Sequence, residues 1–164
     1  MNVLDIIMLL CLVPAIFRGV SKGFISQAVA LVALVLGAWM SFKFSGVVVD
    51  WLKPAIDLPP AILQVVAFAL ILLAVFFGLT LAGKALEGIV KFVMLGWLNK
   101  LLGVVFALLK VILALGLLII LFDAVTTALG VDCSKITGGS VLYGPLKSFA
   151  DAFFPYLREL IFNK

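Results

Sequence analysis

The sequence contains no histidine, and it carries little charge of either sign. Histidine is the commonest general base and metal ligand, so its absence removes Ser-His-Asp and Cys-His catalytic arrangements. Charged residues make up only 12% of the 164 residues, and they are scattered along the chain. A nucleic-acid-binding surface needs clustered Lys and Arg, so we expect no nucleic-acid partner.

Cysteine is also scarce. Cys11 lies in the first apolar run and Cys133 in the C-terminal tail, so a bridge within one chain is not expected. Two cysteines do not make a zinc site by themselves. We therefore expect free thiols or small packing residues, with no metal and no cofactor. Because neither a catalytic base nor a metal site can be assembled, we predict that the protein is not an enzyme.

Apolar residues dominate what is present. They account for 66% of the chain, and the mean hydropathy is +1.38. Soluble domains average about 45–50% apolar and about 25% charged residues. The class that fits is a helical membrane protein with the lipid bilayer as its partner. The length allows a single membrane domain over residues 1–164.

Four apolar runs suit helices that cross a hydrocarbon core of about 30 Å. The predicted spans are residues 3–17, 24–42, 61–82 and 101–122, followed by a C-terminal tail over 123–164. The first span is short, about 22 Å at 1.5 Å per residue, and Pro14 is expected to kink it. The prediction is an all-α polytopic membrane protein with four transmembrane helices.

The connectors between the spans differ in character. Residues 18–23 form a tight basic connector in which Gly19 and Gly23 permit a turn. These two glycines also have the four-residue spacing that lets helices approach closely, although a plain turn is the preferred interpretation. Residues 44–60 form a polar, proline-containing loop.

Two further segments have amphipathic patterns. Residues 84–95 carry charges on one helical face and are too short to span, so we predict a helix lying in the membrane surface. Pro145 opens a second amphipathic helix over residues 145–162, which Pro155 should bend. We expect this helix to pack on the end of the bundle or to lie on the far membrane surface.

Basic residues near the span ends set the expected orientation. Five of them lie in the connectors 18–23 and 84–100, against three on the opposite side. Because cytoplasmic loops carry the excess of Lys and Arg, both connectors are expected in the cytoplasm and both termini outside.

Lys110 is the strongest candidate for chemistry. It lies about nine residues, roughly 13 Å, inside the fourth span, where an ammonium costs at least about 2.5–3.5 kcal/mol. It either faces a polar cavity or subunit contact, or it snorkels toward the cytoplasmic headgroups. Asp5 and Asp123 are expected to be too far away to pair with it.

Other polar residues have simpler interpretations beside the functional ones. Asp5 either pairs across the bundle or forms part of a proton or ion route, or it lies at the outer interface near the amino terminus. Asn99 and Lys100 are explained by helix capping and by anchoring at the positive side of the membrane. Ser140 and Tyr143 are predicted to lie near no base.

Several short motifs together resemble those of a known family. They are Asp5 in an N-terminal span, Arg18-Gly19 followed by Lys22-Gly23-Phe24, and Leu98-Asn99-Lys100-Leu101-Leu102-Gly103. The last motif is similar to L-N-R-x-x-G, with Lys100 where arginine is more usual, which would weaken a bidentate contact there. On these motifs the chain resembles the CvpA family, the colicin V production proteins of bacterial inner membranes. Lys110 falls where relatives often have a basic residue, and Ser140 and Tyr143 resemble a small C-terminal signature.

The resemblance implies four spans, a bacterial inner-membrane location and a part in colicin V or toxin production or export. We predict a non-enzymatic scaffold or accessory protein that also supports envelope function. Its partners would be a second copy of itself or other envelope and export proteins. The alternative is a small transporter or channel with a polar path near Lys110. The candidate functional residues are Asp5, Arg18, Gly19, Lys22, Gly23, Asn99, Lys100, Gly103 and Lys110.

Glycines offer a further indication. Glycines on contact faces of the helices would favour the scaffold, and the candidates are Gly37, Gly46, Gly78, Gly83 and Gly103.

Overall fold

The computed structural model describes residues 2–56, 58–90 and 96–155, without the side chains of 85–90, 96, 135 and 136. The elements are α1 (Val3–Leu52), α2 (Pro60–Val90), α3 (Gly96–Leu129), α4 (Ser134–Thr137) and α5 (Tyr143–Phe153). Within these ranges there is no strand. The all-α prediction is therefore confirmed.

Three helices, α1, α2 and α3, are long and apolar enough to cross a membrane. Their outer surfaces are apolar as well: Leu10, Phe77 and Leu118 are 67%, 58% and 60% exposed. Large apolar side chains on the outside suit contact with lipid rather than with water. The fold is that of a helical membrane protein, as the composition predicts.

Helix α1 folds back on itself at Gly23. This residue has φ 72° and ψ 178°, a combination that is almost restricted to glycine. The Gln27 side chain donates to the carbonyl of Arg18 at 3.3 Å, although the residues are nine apart. In a straight helix nine residues extend over about 13 Å, which is beyond the reach of a glutamine. Helix α1 therefore consists of two halves, residues 3–22 and residues 24–52.

The second half of α1 lies between the other two long helices. It runs parallel to α3, since contacts advance together along both helices. They are Phe24 with Phe106, Gln27 with Lys110, and Leu34 in a cluster with Leu113 and Leu117. It runs antiparallel to α2, where the contacts advance in opposite directions. They are Val29 with Gly83, Gly37 with Leu72, and Ser45 with Gln64.

The main core lies where α5 joins the three long helices. Its buried members are Leu34, Ala38, Phe68, Leu113, Leu117, Ile120, Leu121, Ala124 and Ala150. Helix α5 lies antiparallel to α3, since Tyr143 contacts Asp123 and Ala150 lies against Gly116. A smaller cluster of Met8, Ile119 and Leu146 connects α5 to the first half of α1. The C-terminal helix thus packs along the bundle.

The predicted connectors 18–23 and 44–60 are shorter than expected, because α1 continues beyond the apolar runs. Residues 18–22 belong to α1, so the connector predicted over 18–23 is reduced to Gly23. Helix α1 continues to Leu52, so most of the predicted loop 44–60 is helical. The predicted spans 3–17 and 24–42 lie within the two halves of α1. A helix can continue past its apolar run, because polar side chains at its end reach water while the backbone hydrogen bonds are kept. The hydropathy pattern marks the end of the apolar run and not the end of the helix.

The later boundaries shift in the same direction. Helix α2 runs from Pro60 to Val90, so the break predicted between the span 61–82 and the surface helix 84–95 is absent through residue 90. Residues 91–95 lie outside the described residues. Helix α3, Gly96–Leu129, exceeds the predicted span 101–122 and takes in part of the predicted tail. Helix α5 begins two residues before Pro145 and ends at Phe153. Residues 156–162 of the predicted helix lie outside the described residues.

Candidate functional site

Three glycines bring α1 and α3 into contact around the Gly23 turn. A side chain at Gly19 would lie 2.6 Å from the Cα of Val104 and 2.7 Å from the carbonyl oxygen of Gly103. A side chain at Gly103 would meet the backbone of Gly19 and Gly23. Backbone this close leaves no room for a Cβ, so glycine is required on both helices. The small-residue spacing at 19 and 23 therefore serves both a turn and a close approach.

Asn99 connects the turn to α3. Its Oδ1 accepts a hydrogen bond from the N–H of Phe24 at 2.9 Å, and a side chain at Gly23 would lie 2.6 Å from its Nδ2. The first N–H groups of a helix have no partner within the helix. Asn99 accepts a hydrogen bond from the first such N–H group of the second half of α1. A residue of α3 therefore caps a helical half of α1.

Lys110 points toward this same end of the bundle. Its Nζ donates to Oε1 of Gln27 at 2.6 Å, and Gln27 in turn donates to the Arg18 carbonyl at 3.3 Å. Gln27 is only 2% exposed. Arg18, Lys22 and Lys100 are exposed at this end. Gln27 was not predicted as a partner, although an amide in an otherwise apolar run is a signal that could have indicated it.

Eight of the nine predicted functional residues lie in one group, and Asp5 lies apart from it. Seven of them lie around the Gly23 turn, from both α1 and α3; they are Arg18, Gly19, Lys22, Gly23, Asn99, Lys100 and Gly103. Lys110 is linked to this group through Gln27. Asp5 lies at the opposite end of the bundle. We call the first group, with Gln27 and Lys110, the glycine-turn site.

Asp5 is buried at the other end, with an exposed fraction of 1%. Its carboxylate accepts hydrogen bonds from the Ser140 hydroxyl at 2.6 Å and from the backbone N–H groups of Asn2, Leu142 and Val141 at 2.9, 3.0 and 3.2 Å. The Asn2 contact belongs to a capping box at the start of α1. Asp5 therefore joins the first helix to the segment before α5.

A second carboxylate holds α5. Asp123 accepts a hydrogen bond from the Tyr143 hydroxyl and forms an ion pair with Lys147. Burial and, next, the hydrogen bond to Asp123 raise the pKa of Tyr143 above its usual value of 10.0. The prediction that Ser140 and Tyr143 lie near no base is wrong, because each hydroxyl contacts a carboxylate that the chain reversal after α3 brings to it. Residues 123 and 143 are too far apart in sequence for spacing to reveal this.

A third polar contact lies between α1 and α2. The Gln64 amide donates to the Ser45 hydroxyl at 2.9 Å, and both residues are buried. Sequence reasoning missed this pair. The contacts of Asp5, Gln27 and Gln64 satisfy buried polar groups within the chain, which stabilises the packing of the helices.

The glycines predicted for contact faces divide into two groups. Gly37, Gly83 and Gly103 each lie against another helix of the same chain, with Leu72, Val29 and Gly19 as neighbours. Gly46 and Gly78 have nothing within 4 Å of the position of a side chain.

Cys11 and Cys133 are free thiols, and Cys11 is exposed on α1. In the part of the chain that the structure describes, no group of three or more His, Cys, Asp or Glu side chains is placed to hold a metal ion.

The fold is that of a polytopic helical membrane protein. It has long apolar helices, a close helix contact at glycines, and a few polar side chains that are hydrogen-bonded within the chain. Comparison with protein families matches residues 4–151 to the family described as Colicin V production protein. The chain belongs to this family, which confirms the resemblance of its motifs. No curated protein and no solved structure matches the chain.

Proposed function

We propose that this protein is a four-span accessory or scaffold protein of the bacterial inner membrane that supports colicin V production or export. Family membership is the observation that carries the proposal. The buried polar side chains support a structural role rather than catalysis. Asp5, Gln27 and Gln64 all make hydrogen bonds within the chain.

The reversal of α1 supports the proposal of four spans. Residues 3–22 extend over about 30 Å and residues 24–52 over about 43 Å at 1.5 Å per residue, so either half is long enough to cross the hydrocarbon core. With α2 and α3 this makes four crossings. The Gly23 turn then lies on the same side of the membrane as the connector between α2 and α3.

The orientation is proposed from the basic residues. Arg18, Lys22 and Lys100 lie at the Gly23 end, where the excess of positive charge favours the cytoplasm. The Asp5 contacts and α5 would then lie at the outer side. Reporter fusions at residue 23, at residue 55 and at the C-terminus test this. The proposal is supported if a reporter that is active only in the cytoplasm is active at residue 23 and inactive at the other two positions. It is contradicted if the reporters at residues 23 and 55 lie in the same compartment.

One observation favours contacts with other copies or other membrane proteins. Gly46 and Gly78 are open glycine positions on long helices, where a partner helix can approach closely. Single cysteines at these positions, in a chain lacking Cys11 and Cys133, should form crosslinked dimers in native membranes if the partner is a second copy. The matched control is a cysteine at Gly37, which faces α2. Crosslinking that is equal at 37 and 78 would contradict a specific interface.

The second candidate function is a small transporter or channel. The contact between Lys110 and Gln27 favours it, because it places polar groups inside the bundle. Transport would be supported if the protein produces a flux in proteoliposomes and Lys110→Ala abolishes that flux. Lys53→Ala is the control. Unchanged flux would count against it. We expect Lys110→Leu to insert normally into the membrane and to change the function.

A further inference from the structure

The glycine-turn site holds four basic residues; besides Lys100 they are the three cations Arg18, Lys22 and Lys110. Arg18 and Lys22 lie one helical turn apart at the end of the first half of α1, and both are exposed. Lys110 joins them from α3, because Gln27 accepts a hydrogen bond from its Nζ at 2.6 Å and donates one to the Arg18 carbonyl at 3.3 Å. The side chain of Lys110 is therefore directed toward the end of α1 that carries the two exposed cations.

The described carboxylates that form ion pairs lie at the other end of the bundle. The ion pairs among the described side chains are Lys53 with Asp50 and Lys147 with Asp123. The hydrogen-bond acceptor described for Lys110 is a neutral amide. An ammonium in a membrane-spanning helix is costly unless an anion approaches it. An anion from outside the chain would satisfy all three cations.

We propose that Arg18, Lys22 and Lys110 bind the phosphate group of an anionic phospholipid. The depth is suitable, since the Gly23 turn ends the two helical halves where lipid phosphates lie. Lys22 and Arg18 are about 2 and 8 Å along the helix from Gly23. The Arg18 guanidinium matches the geometry of a phosphate, and the lysines add point charges. Basic pockets between helices are a known setting for anionic headgroups.

Apolar surface for the acyl chains lies next to these cations. Phe17 and Leu101, on α1 and α3, are 69% and 53% exposed. A headgroup at the cations would therefore place its chains along side chains that already face lipid. A soluble anion would gain nothing from this surface, and for this reason the proposal is a phospholipid rather than free phosphate.

The test measures thermal unfolding of the full-length protein in neutral detergent, followed by tryptophan fluorescence. We expect phosphatidylglycerol to raise the unfolding midpoint of the wild type by a few degrees, whereas phosphatidylcholine and inorganic phosphate leave it unchanged. The double variant Arg18→Gln with Lys22→Gln should lose the shift. Its midpoint in phosphatidylcholine should match the wild type, which shows that it folds. Lys110→Gln should reduce the shift.

The matched control removes two cations from the opposite end, Lys43→Gln with Lys53→Gln, and should keep the full shift. Loss of the shift in this control to the same extent would mean general charge attraction and would overturn the site. An unchanged shift in the Arg18 and Lys22 variant would overturn it as well. A shift with inorganic phosphate equal to that with phosphatidylglycerol would assign the site to a soluble anion instead. None of these results depends on whether the protein is a scaffold or a transporter.

Discussion

Asn99 accepts a hydrogen bond from the N–H of Phe24 at 2.9 Å across 75 residues of sequence. This contact joins the start of α3 to the point where α1 reverses. It provides a partner for one of the N–H groups that the reversal exposes at the start of a new helix. The turn and the contact between α1 and α3 therefore depend on one another.

Replacement of Asn99 should weaken the turn. We expect Asn99→Ala to lower the free energy of unfolding by about 0.5–2 kcal/mol, because one helix N-terminus loses its cap. Asn99→Asp keeps an acceptor oxygen at this position and should lose less. Both are measured by thermal or denaturant unfolding in detergent. Wild-type stability of Asn99→Ala would contradict the capping role.

Alanine at the close helix contact should destabilise the protein, whereas alanine at the open glycines should not. A methyl group at Gly19 or Gly103 would meet backbone atoms of the opposite helix, and we expect a loss of about 1–3 kcal/mol from overpacking. Gly46→Ala and Gly78→Ala are the matched controls, because nothing lies within 4 Å of their side-chain positions. They should be neutral or stabilising, since alanine favours a helix more than glycine does. Equal losses at all four positions would contradict the contact.

Removal of the Ser140 hydroxyl or the Asp5 charge should release the C-terminal segment from α1. We expect Asp5→Asn and Ser140→Ala each to cost about 1–3 kcal/mol, because hydrogen bonds to the buried side chain at position 5 are weakened or lost. Hydrogen exchange of the amides of Val141 and Leu142 should increase in both variants. The control is Asp50→Asn, which removes only an exposed ion pair worth about 0–1 kcal/mol. Unchanged exchange in Asp5→Asn would show that the carboxylate does not hold the segment.

Tyr143 should ionise above its usual pKa of 10.0, because burial and the contact with Asp123 both favour the neutral phenol. The unfolded chain then releases this proton at lower pH than the folded chain does. The stability from this group is therefore complete below about pH 10 and is lost as the pH rises through the raised pKa. Tyrosinate absorbance of a Tyr156→Phe variant reports Tyr143 alone. Asp123→Asn should lower the titration midpoint, and a midpoint at or below 10.0 in the parent chain would contradict the contact.

The candidate site was partly predictable because its residue types are unusual in lipid. Lys110 and Asp5 are charges inside apolar runs, and Gly19, Gly23 and Gly103 have spacings that suit turns and close helix contacts. Gln27 and Ser45 were missed because a neutral polar residue in a long apolar run costs less and stands out less than a charge does. The partners of Asp5 in the segment before α5 and those of Asp123 were also missed. The former lie 135 to 137 residues from Asp5, and the latter lie 20 and 24 residues from Asp123.

The sequence by itself determined that the protein lies in lipid, because 66% of its residues are apolar and they form long runs. It also determined the helical class, because a run in lipid must satisfy its backbone hydrogen bonds within itself. It also determined the family, whose motifs are local. Only the tertiary structure decided that Gly23 alone reverses α1, that Lys110 meets Gln27 and that Asp5 holds the segment before α5. Those pairings depend on how helices distant in sequence pack against one another, and the spacing of residues within one helix contains no information about its neighbour.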